Sequence, residues 1–444
     1  MQNSAFRPIY YLGCKTNFTA AIRAAIDEVD PSGGRLVDLF AGTGAVGAAL
    51  ASTREVTTVD VQEYSRVLCS AVLKPPQLTD SAISELISQI GCSEVLQELD
   101  SCLKPLVEYE HACINAAIHG DSAALVEMLE SPPLAVLPYG EVRQSSSPLS
   151  DATSKAIDNL VASKLWKSSD SMMTRQFGGT YFSFRQAAVL DAILTAAAQA
   201  SDATRDTLLA AALSTASQIV NTVGKQFAQP IRPRNKAGKV KGGLVKVVRR
   251  DRLIDVLSSY GGWLARYAQV RPAQGTPRAI REDYLVALAD KESPLSVVYA
   301  DPPYTRDHYS RFYHVLETMC LRDDPAISLV RKRGVLAASR GAYREDRHQS
   351  PFCIRSTAPA AFDALFKAAR ARDLPMVLSY SPHERGDGTH PRVVSMKQIV
   401  EIARSSYDKV EVCAIEGSTH NKLNSGELEL KTRDHAEVLL KCFC

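Results

Sequence analysis

The stretch that decides the fold runs from Arg35 to Val61, RLVDLFAGTGAVGAALASTREVTTVDV. Arg35 to Phe40 is a short apolar run of buried-strand type, broken by a glycine turn at Gly42 and Gly44. Small residues then follow at helix length, and Val56 to Val61 is a second strand rich in β-branched residues. Strand, helix and strand at this spacing predict a right-handed parallel crossover. Upstream, Thr19 to Val29 has the apolar spacing of a helix. Downstream, from about Pro75 to Gly275, strands are hard to find. Loop punctuation stands at Ser131–Pro133 and Gln144–Pro148, and long helices are expected over Phe184–Gln199 and Asp206–Val220. The α/β pattern resumes near Tyr284, with strands at Val297–Ala300 and Met376–Tyr380 around a helix at Pro359–Arg370. Val410–Ile415 and Glu437–Leu440 form a closing pair. The reading is one α/β domain made of residues 1–74 and 276–444, interrupted by a mostly helical insertion at 75–275.

Bulk composition narrows the classes. The 444 residues are 45% hydrophobic and 23% charged, as in ordinary globular proteins. No apolar run approaches the ~18 residues of a membrane span, so no membrane partner is expected. The start, MQNSAFRPIYYLG, lacks the charged and apolar regions of a signal peptide. Ten cysteines are scattered without a CxxC pair, which predicts reduced thiols in a cytoplasm and no metal site.

The net charge is only +3, but its distribution is uneven. Ten basic residues fall between Lys225 and Arg252, with Asp251 as the sole acid among them. The glycine- and proline-rich part of that block should be a loop or hairpin. Its cations Arg232, Arg234, Lys236, Lys239 and Lys241 fit a phosphate backbone, with DNA the obvious partner. A solvated loop without a partner has the same composition.

Two places carry chemistry. In Asp38-Leu-Phe40-Ala-Gly42-Thr-Gly44 the glycines let backbone approach a nucleotide-like ligand closely, and Asp60, at the end of the next strand, can take both hydroxyls of a ribose. GxGxxG is also formally present as Gly42, Gly44 and Gly47, which at this point keeps a nicotinamide or flavin enzyme open. The second place is Asp301-Pro302-Pro303-Tyr304, directly after the strand Val297–Ala300. Two prolines make a rigid turn without backbone donors, so the Asp301 carboxylate and the Pro302 carbonyl converge as acceptors. They suit a nucleobase amine with two donor hydrogens, and Tyr304 offers a flat surface beside them. Holding both N–H bonds favours a pyramidal nitrogen whose lone pair points at an incoming methyl group.

On these residues the chain resembles the Dam-type (DPPY) N6-adenine-specific DNA methyltransferases. Their N-terminal aromatic-x-G-G-K motif matches Tyr11-Leu-Gly13-Cys-Lys15, with Cys14 in place of the second glycine. Their FxGxG loop matches Phe40, Gly42 and Gly44, their ribose acid matches Asp60, and DPPY is intact at 301–304. The resemblance implies a Rossmann-like class I methyltransferase domain that binds S-adenosyl-L-methionine. Tyr11 and Lys15 would lie near the methionine end of this cofactor, and the insertion would be the target-recognition region. The acid that contacts the cofactor adenine best matches Asp283, with Asp121 as a competing position. TYFSFRQAAVLDAI and NTVGKQF are looser likenesses within the insertion. In a subset of similar enzymes Tyr309, Tyr313 and His314 would sit near the site.

Other classes weigh differently. No Pro-Cys dipeptide exists for a cytosine-C5 enzyme. Cytosine-N4 enzymes commonly carry serine, and glutamine methyltransferases asparagine, where Asp301 stands. An RNA adenine methyltransferase and a catalytically silent DNA-binding protein stay as alternatives. Further subunits of a restriction or phage-defence system are possible partners.

Overall fold

The computed structural model describes residues 6–11, 13, 15–137, 146–306, 309–332, 334–381, 392–415 and 437–444. Of the residues read above, Leu12 and Cys14 in the N-terminal motif, Gln144 and Ser145 in the loop signal, and Asp307 and His308 after the DPPY motif lie outside the described residues. The chain divides into two compact units, residues 1–75, 270–310 and 348–444 in one, and 76–269 with 311–347 in the other.

The first unit is built on a seven-stranded sheet. Its strands are β1 (Leu36–Leu39), β2 (Val56–Asp60), β3 (Arg278–Arg281), β4 (Val297–Ala300), β5 (Met376–Tyr380), β6 (Lys409–Ile415) and β7 (Glu437–Phe443). They lie in the order β3-β2-β1-β4-β5-β7-β6, all parallel through β5, with β7 antiparallel to both its neighbours. β1 and β4 are buried along their whole length, as strands covered on both faces must be, which is why they read as continuous apolar runs. Helices α1 (Thr19–Val29), α2 (Ala45–Leu50), α3 (Glu63–Leu73), α4 (Tyr284–Ala289), α5 (Ala358–Arg370) and α6 (Met396–Arg404) complete it. Phe362, Leu365 and Phe366 of α5 enter one apolar core with Val298 of β4 and Leu378 of β5.

Register sets up the site. Leu39 of β1 lies opposite Val59 of β2 and Ala300 of β4. Phe40, Asp60 and Asp301 therefore leave the sheet at one level. β1 and β4 are also where the strand order reverses direction, and the crevice at the carboxyl ends of such strands is where open α/β sheets bind ligands.

The second unit is mainly helical. Its longest helices are Glu94–Ile118, Asp202–Ile219, Phe184–Gln199 and Pro148–Ala162. Between residues 76 and 269 the described residues form no strand, only isolated bridges such as Arg234 with Val240. A buried ion pair ties the unit together: the Arg252 guanidinium donates to Glu110 at 2.5 Å and to the carbonyl of Gly179 at 2.8 Å. The Phe184–Gln199 helix opens with a capping box between Ser183 and Gln186.

The division differs from the sequence reading in two ways. Residues 311–347, expected in the α/β part, pack in the helical unit, because Val315, Leu316 and Met319 of the helix His314–Leu321 are fully buried there. Residues 270–275 belong instead to the α/β unit, whose strand β3 follows at once. β3 itself escaped notice because it is a half-exposed edge strand carrying two arginines.

Candidate active site

The turn after β1 is shaped by close approach. Gly42 has φ +56°, and a Cβ there would sit 2.7 Å from the Tyr11 hydroxyl. Gly44, at φ +73°, caps α2 against Cys69 and Val72. Gly47 lets α2 lie on β2, since a Cβ would meet Thr58 at 2.7 Å. Phe40 holds φ 60°, a strained value for a bulky residue, and its ring is fixed between Tyr284 and Phe352, 5.2 and 5.3 Å away.

The carboxylates divide by what they touch. Asp60 accepts the Gly42 N–H at 3.1 Å with one oxygen and the Gln62 N–H at 3.0 Å with the other. Burial nonetheless raises its pKa from the ordinary aspartate value. Asp38 accepts the Gly47 N–H at 2.9 Å, and burial, with Asp301 and Asp60 nearby, pushes it up to about 8. Asp283 caps α4 by accepting the Leu285 N–H at 2.8 Å. The competing position Asp121 caps the turn at Ala123 in the helical unit.

At the end of β4 the Asp301 carboxylate meets the Lys15 ammonium at 3.1 Å. The same ammonium pairs at 3.1 Å with Glu437, which is wholly buried on β7 and also accepts from Ser379 at 2.8 Å. Burial works against the charge on Lys15, but Asp301 and then Glu437 outweigh it and raise its pKa well above the ordinary lysine value. Tyr304 is 8% exposed. Its ring meets Tyr380 edge-on at 5.2 Å, and the Arg392 guanidinium stands 4.6 Å from its centre. Arg392 is in turn held by the carbonyl of Ser381, and Val393 donates to the Tyr304 carbonyl at 3.2 Å. Burial, first of all, drives the Tyr304 phenol above its usual pKa, so the ring stays neutral.

One cavity collects the two motif turns, with Glu437 and Arg392 behind its wall and not among its lining residues. All four DPPY residues line it, as do all the cofactor positions named from sequence except Gly44, whose part is to turn the chain. Tyr309 lines it too, but Tyr313 and His314 do not. His314 is buried among the rings of Phe177, Tyr181 and Tyr343 in the helical unit, where desolvation pushes its pKa down to about 4. Sequence reasoning missed Glu437, Arg392, Phe352 and His348. Only Glu437 left a trace, as a lone acid opening the apolar strand EVLLKCF.

The basic loop is a turn closed by Asn235, whose side chain accepts the Ala237 and Lys239 N–H groups. Arg232, Lys236, Lys239 and Lys241 are exposed, while Arg234 is paired with Glu130 at 3.1 Å. Three other cations of the block serve the unit's interior: Lys225 and Arg250 pair with Asp251, and Arg252 with Glu110. Among the described residues no helix is long and apolar enough to cross a membrane, and no three metal-ligating side chains cluster.

Comparison with known families adds one finding. Residues 11–102 match the model of the D12 class N6 adenine-specific DNA methyltransferase family, consistent with the Dam-type resemblance. The matched span holds Tyr11, Lys15, the glycine turn and Asp60, and ends before DPPY. A mixed α/β unit with a mostly parallel sheet fits a methyltransferase fold, and the match supports adenine methylation with DNA as substrate. A search of curated proteins finds no match.

Proposed function

We propose that this protein transfers the methyl group of S-adenosyl-L-methionine to the N6 amine of an adenine flipped out of duplex DNA. The observation that carries the reading is the convergence, in one cavity, of the DPPY turn after β4 with the glycine turn after β1 and Asp60 after β2.

The residues present fit the cofactor. Each Asp60 oxygen takes one backbone N–H and keeps lone-pair capacity for a ribose hydroxyl. Asp283 stands by Tyr284 on the cavity wall, suited to an adenine amine. Tyr11 and Lys15 suit the methionine end. When bound, the cofactor supplies a methyl group activated on a sulfonium. The chain does the rest by positioning. The Asp301 carboxylate and Pro302 carbonyl accept the two amine hydrogens. Lys15 fixes the direction of Asp301. Tyr304, braced by Tyr380 and Arg392, gives the base a rigid aromatic surface.

An adenine paired inside a duplex cannot reach Asp301, so the base must leave the stack. The helical unit is the target-recognition region in this reading, with Arg232, Arg234, Lys236, Lys239 and Lys241 on phosphates. Arg234 contributes only if it exchanges Glu130 for DNA. A site-specific activity of this kind suits restriction-modification or phage defence in the cytoplasm, alone or with further subunits.

Asp301→Ala tests the assignment. Lys15 keeps Glu437 as partner in this variant, so the fold should survive. Methyl transfer to DNA should vanish while cofactor affinity, measured on the same preparation, stays near wild type. Undiminished transfer would remove Asp301 from the chemistry.

A further inference from the structure

Successive residues of a strand point to opposite faces of a sheet. Val37 and Leu39 of β1, Val298 and Ala300 of β4, Leu378 of β5 and Val438 of β7 all enter the apolar core that holds α5. Asp38, Tyr299, Ser379 and Glu437 alternate with them and share the other face, as a polar row across the four neighbouring strands β1, β4, β5 and β7. Three members of the row have a partner inside the protein. Asp38 accepts from Gly47, Ser379 donates to Glu437, and Glu437 pairs with Lys15. Tyr299 differs. It is 1% exposed, its hydroxyl has no hydrogen-bond partner, and it lines the cavity that holds the two motif turns. Leaving a buried hydroxyl unpaired costs stability, so a group of this kind is kept for a use.

The surroundings define that use. Burial first, and then the Asp301 carboxylate, hold the Tyr299 phenol well above its ordinary pKa, with Lys15 opposing them. The hydroxyl therefore keeps its proton and is a donor. Four aspartates line the cavity, Asp38, Asp60, Asp283 and Asp301, against Lys15 as the one lysine or arginine among the described residues. Lys15 is already shared between Asp301 and Glu437. The amino-acid end of S-adenosyl-L-methionine is a zwitterion. Its ammonium finds acids readily here, but its carboxylate meets a cation that two carboxylates already neutralise. A neutral donor beside Lys15 answers that need. Tyr299 stands opposite Asp38 in register, about 4.8 Å away across the sheet, so one donor and one acid lie side by side under the same cavity.

We propose that Tyr299 selects the cofactor by its amino-acid end: its hydroxyl donates a hydrogen bond to the methionine carboxylate, beside Lys15, while Asp38 faces the ammonium. Tyr299 is then a binding residue that lies outside both the DPPY turn and the glycine turn. The proposal rests on the reading of the protein as an S-adenosyl-L-methionine-dependent methyltransferase.

The test is calorimetric binding to the full chain of three probes: S-adenosyl-L-methionine, its decarboxylated analogue, and S-adenosyl-L-homocysteine, which keeps the carboxylate and lacks the methyl group. Wild-type protein should bind S-adenosyl-L-methionine at least about tenfold tighter than the decarboxylated analogue, as befits a hydrogen bond to a charged group. Tyr299→Phe should lose about tenfold in affinity for both compounds that carry the carboxylate and none for the decarboxylated one. The melting temperature of the ligand-free variant should be unchanged or higher, because an unpaired hydroxyl has left the interior. Equal wild-type affinity for the carboxylated and decarboxylated compounds would overturn the proposal without any variant. So would a loss in Tyr299→Phe that is the same for all three probes, or no loss at all. A lower melting temperature in the ligand-free variant would show that the hydroxyl serves the fold and is not kept for a ligand. In each of these cases a wild-type protein that binds S-adenosyl-L-methionine leaves the enzymatic reading standing. If wild-type protein binds none of the three, that reading fails first.

Discussion

Replacing Lys15 by methionine should be expensive, and the structure says where the cost falls. Lys15 is the shared cation of Asp301 and Glu437. The Asp301 side chain is 20% exposed and can be partly rehydrated; the Glu437 side chain is 0% exposed and cannot. Removing one partner of a buried pair costs about 3–5 kcal/mol, chiefly by leaving the other charge uncompensated. Since one of the two carboxylates retains some solvent, the lower end, about 3 kcal/mol, is expected at neutral pH. With a urea dependence of about 2–3 kcal/mol per molar, the unfolding midpoint should fall by at least about 1 M. Glu437→Gln in the same chain removes the orphaned charge and keeps the Ser379 hydrogen bond, so the double variant should recover about 2–3 kcal/mol of coupling energy. Methyl transfer should stay low in the double variant, because nothing then orients Asp301. Urea unfolding of the wild type, both single variants and the double at one pH measures the cycle. An unchanged midpoint in Lys15→Met, or costs that simply add, would refute the shared-cation account.

Other consequences are quicker to state. Asp60→Ala should weaken cofactor binding by about 1.5–3 kcal/mol, roughly 10- to 150-fold in dissociation constant, as a charge-assisted contact is lost; calorimetry on the folded variant decides. Asp38 has a folded pKa of about 8 against an ordinary carboxylate value of 3.8, so the unfolded chain loses this proton first. Stability should fall as pH rises from about 4 to about 8, by at most about 1.4 kcal/mol per pH unit from this group. Asp38→Asn should flatten that slope in thermal melts taken across the window, and an unaltered slope would mean that Asp38 ionises normally. Tyr304→Ala should lose about 1–3 kcal/mol of base stacking, while Tyr304→Phe keeps the ring between Tyr380 and Arg392 and retains most activity in steady-state assays. Equal loss in both would assign the chemistry to the hydroxyl.

The strands that build the site were legible because burial on both faces writes itself as an apolar run. RLVDLF, VTTVDV, VVYA and MVLSY all became sheet strands, and Thr19–Val29 became a helix over the expected residues. The DPPY and glycine turns were legible because proline and glycine specify backbone geometry locally. Glu437 was not, since its partner Lys15 lies 422 residues away and nothing local marks the pair. Arg392 was missed for the same reason: a guanidinium over a ring is a tertiary contact. The Asp202–Ile219 helix began four residues earlier than expected because the stretch Asp202–Arg205 carries no large apolar residue to show a helical period. The move of residues 311–347 to the helical unit was hidden because an apolar helix after DPPY reads alike whichever core it enters. Of the ten cations taken together as a basic block, Lys225, Arg250 and Arg252 prove to be spent on internal acids, which no charge count shows.

The proposed activity is methylation of adenine in DNA at this cavity. Incubating the purified protein with duplex DNA and methyl-labelled S-adenosyl-L-methionine, then digesting the DNA to nucleosides and identifying the labelled one by mass, tests it most directly. The account predicts label in N6-methyldeoxyadenosine, abolished by Asp301→Ala. Label in a cytosine derivative, label only when RNA replaces DNA, or no label with cofactor demonstrably bound would contradict it.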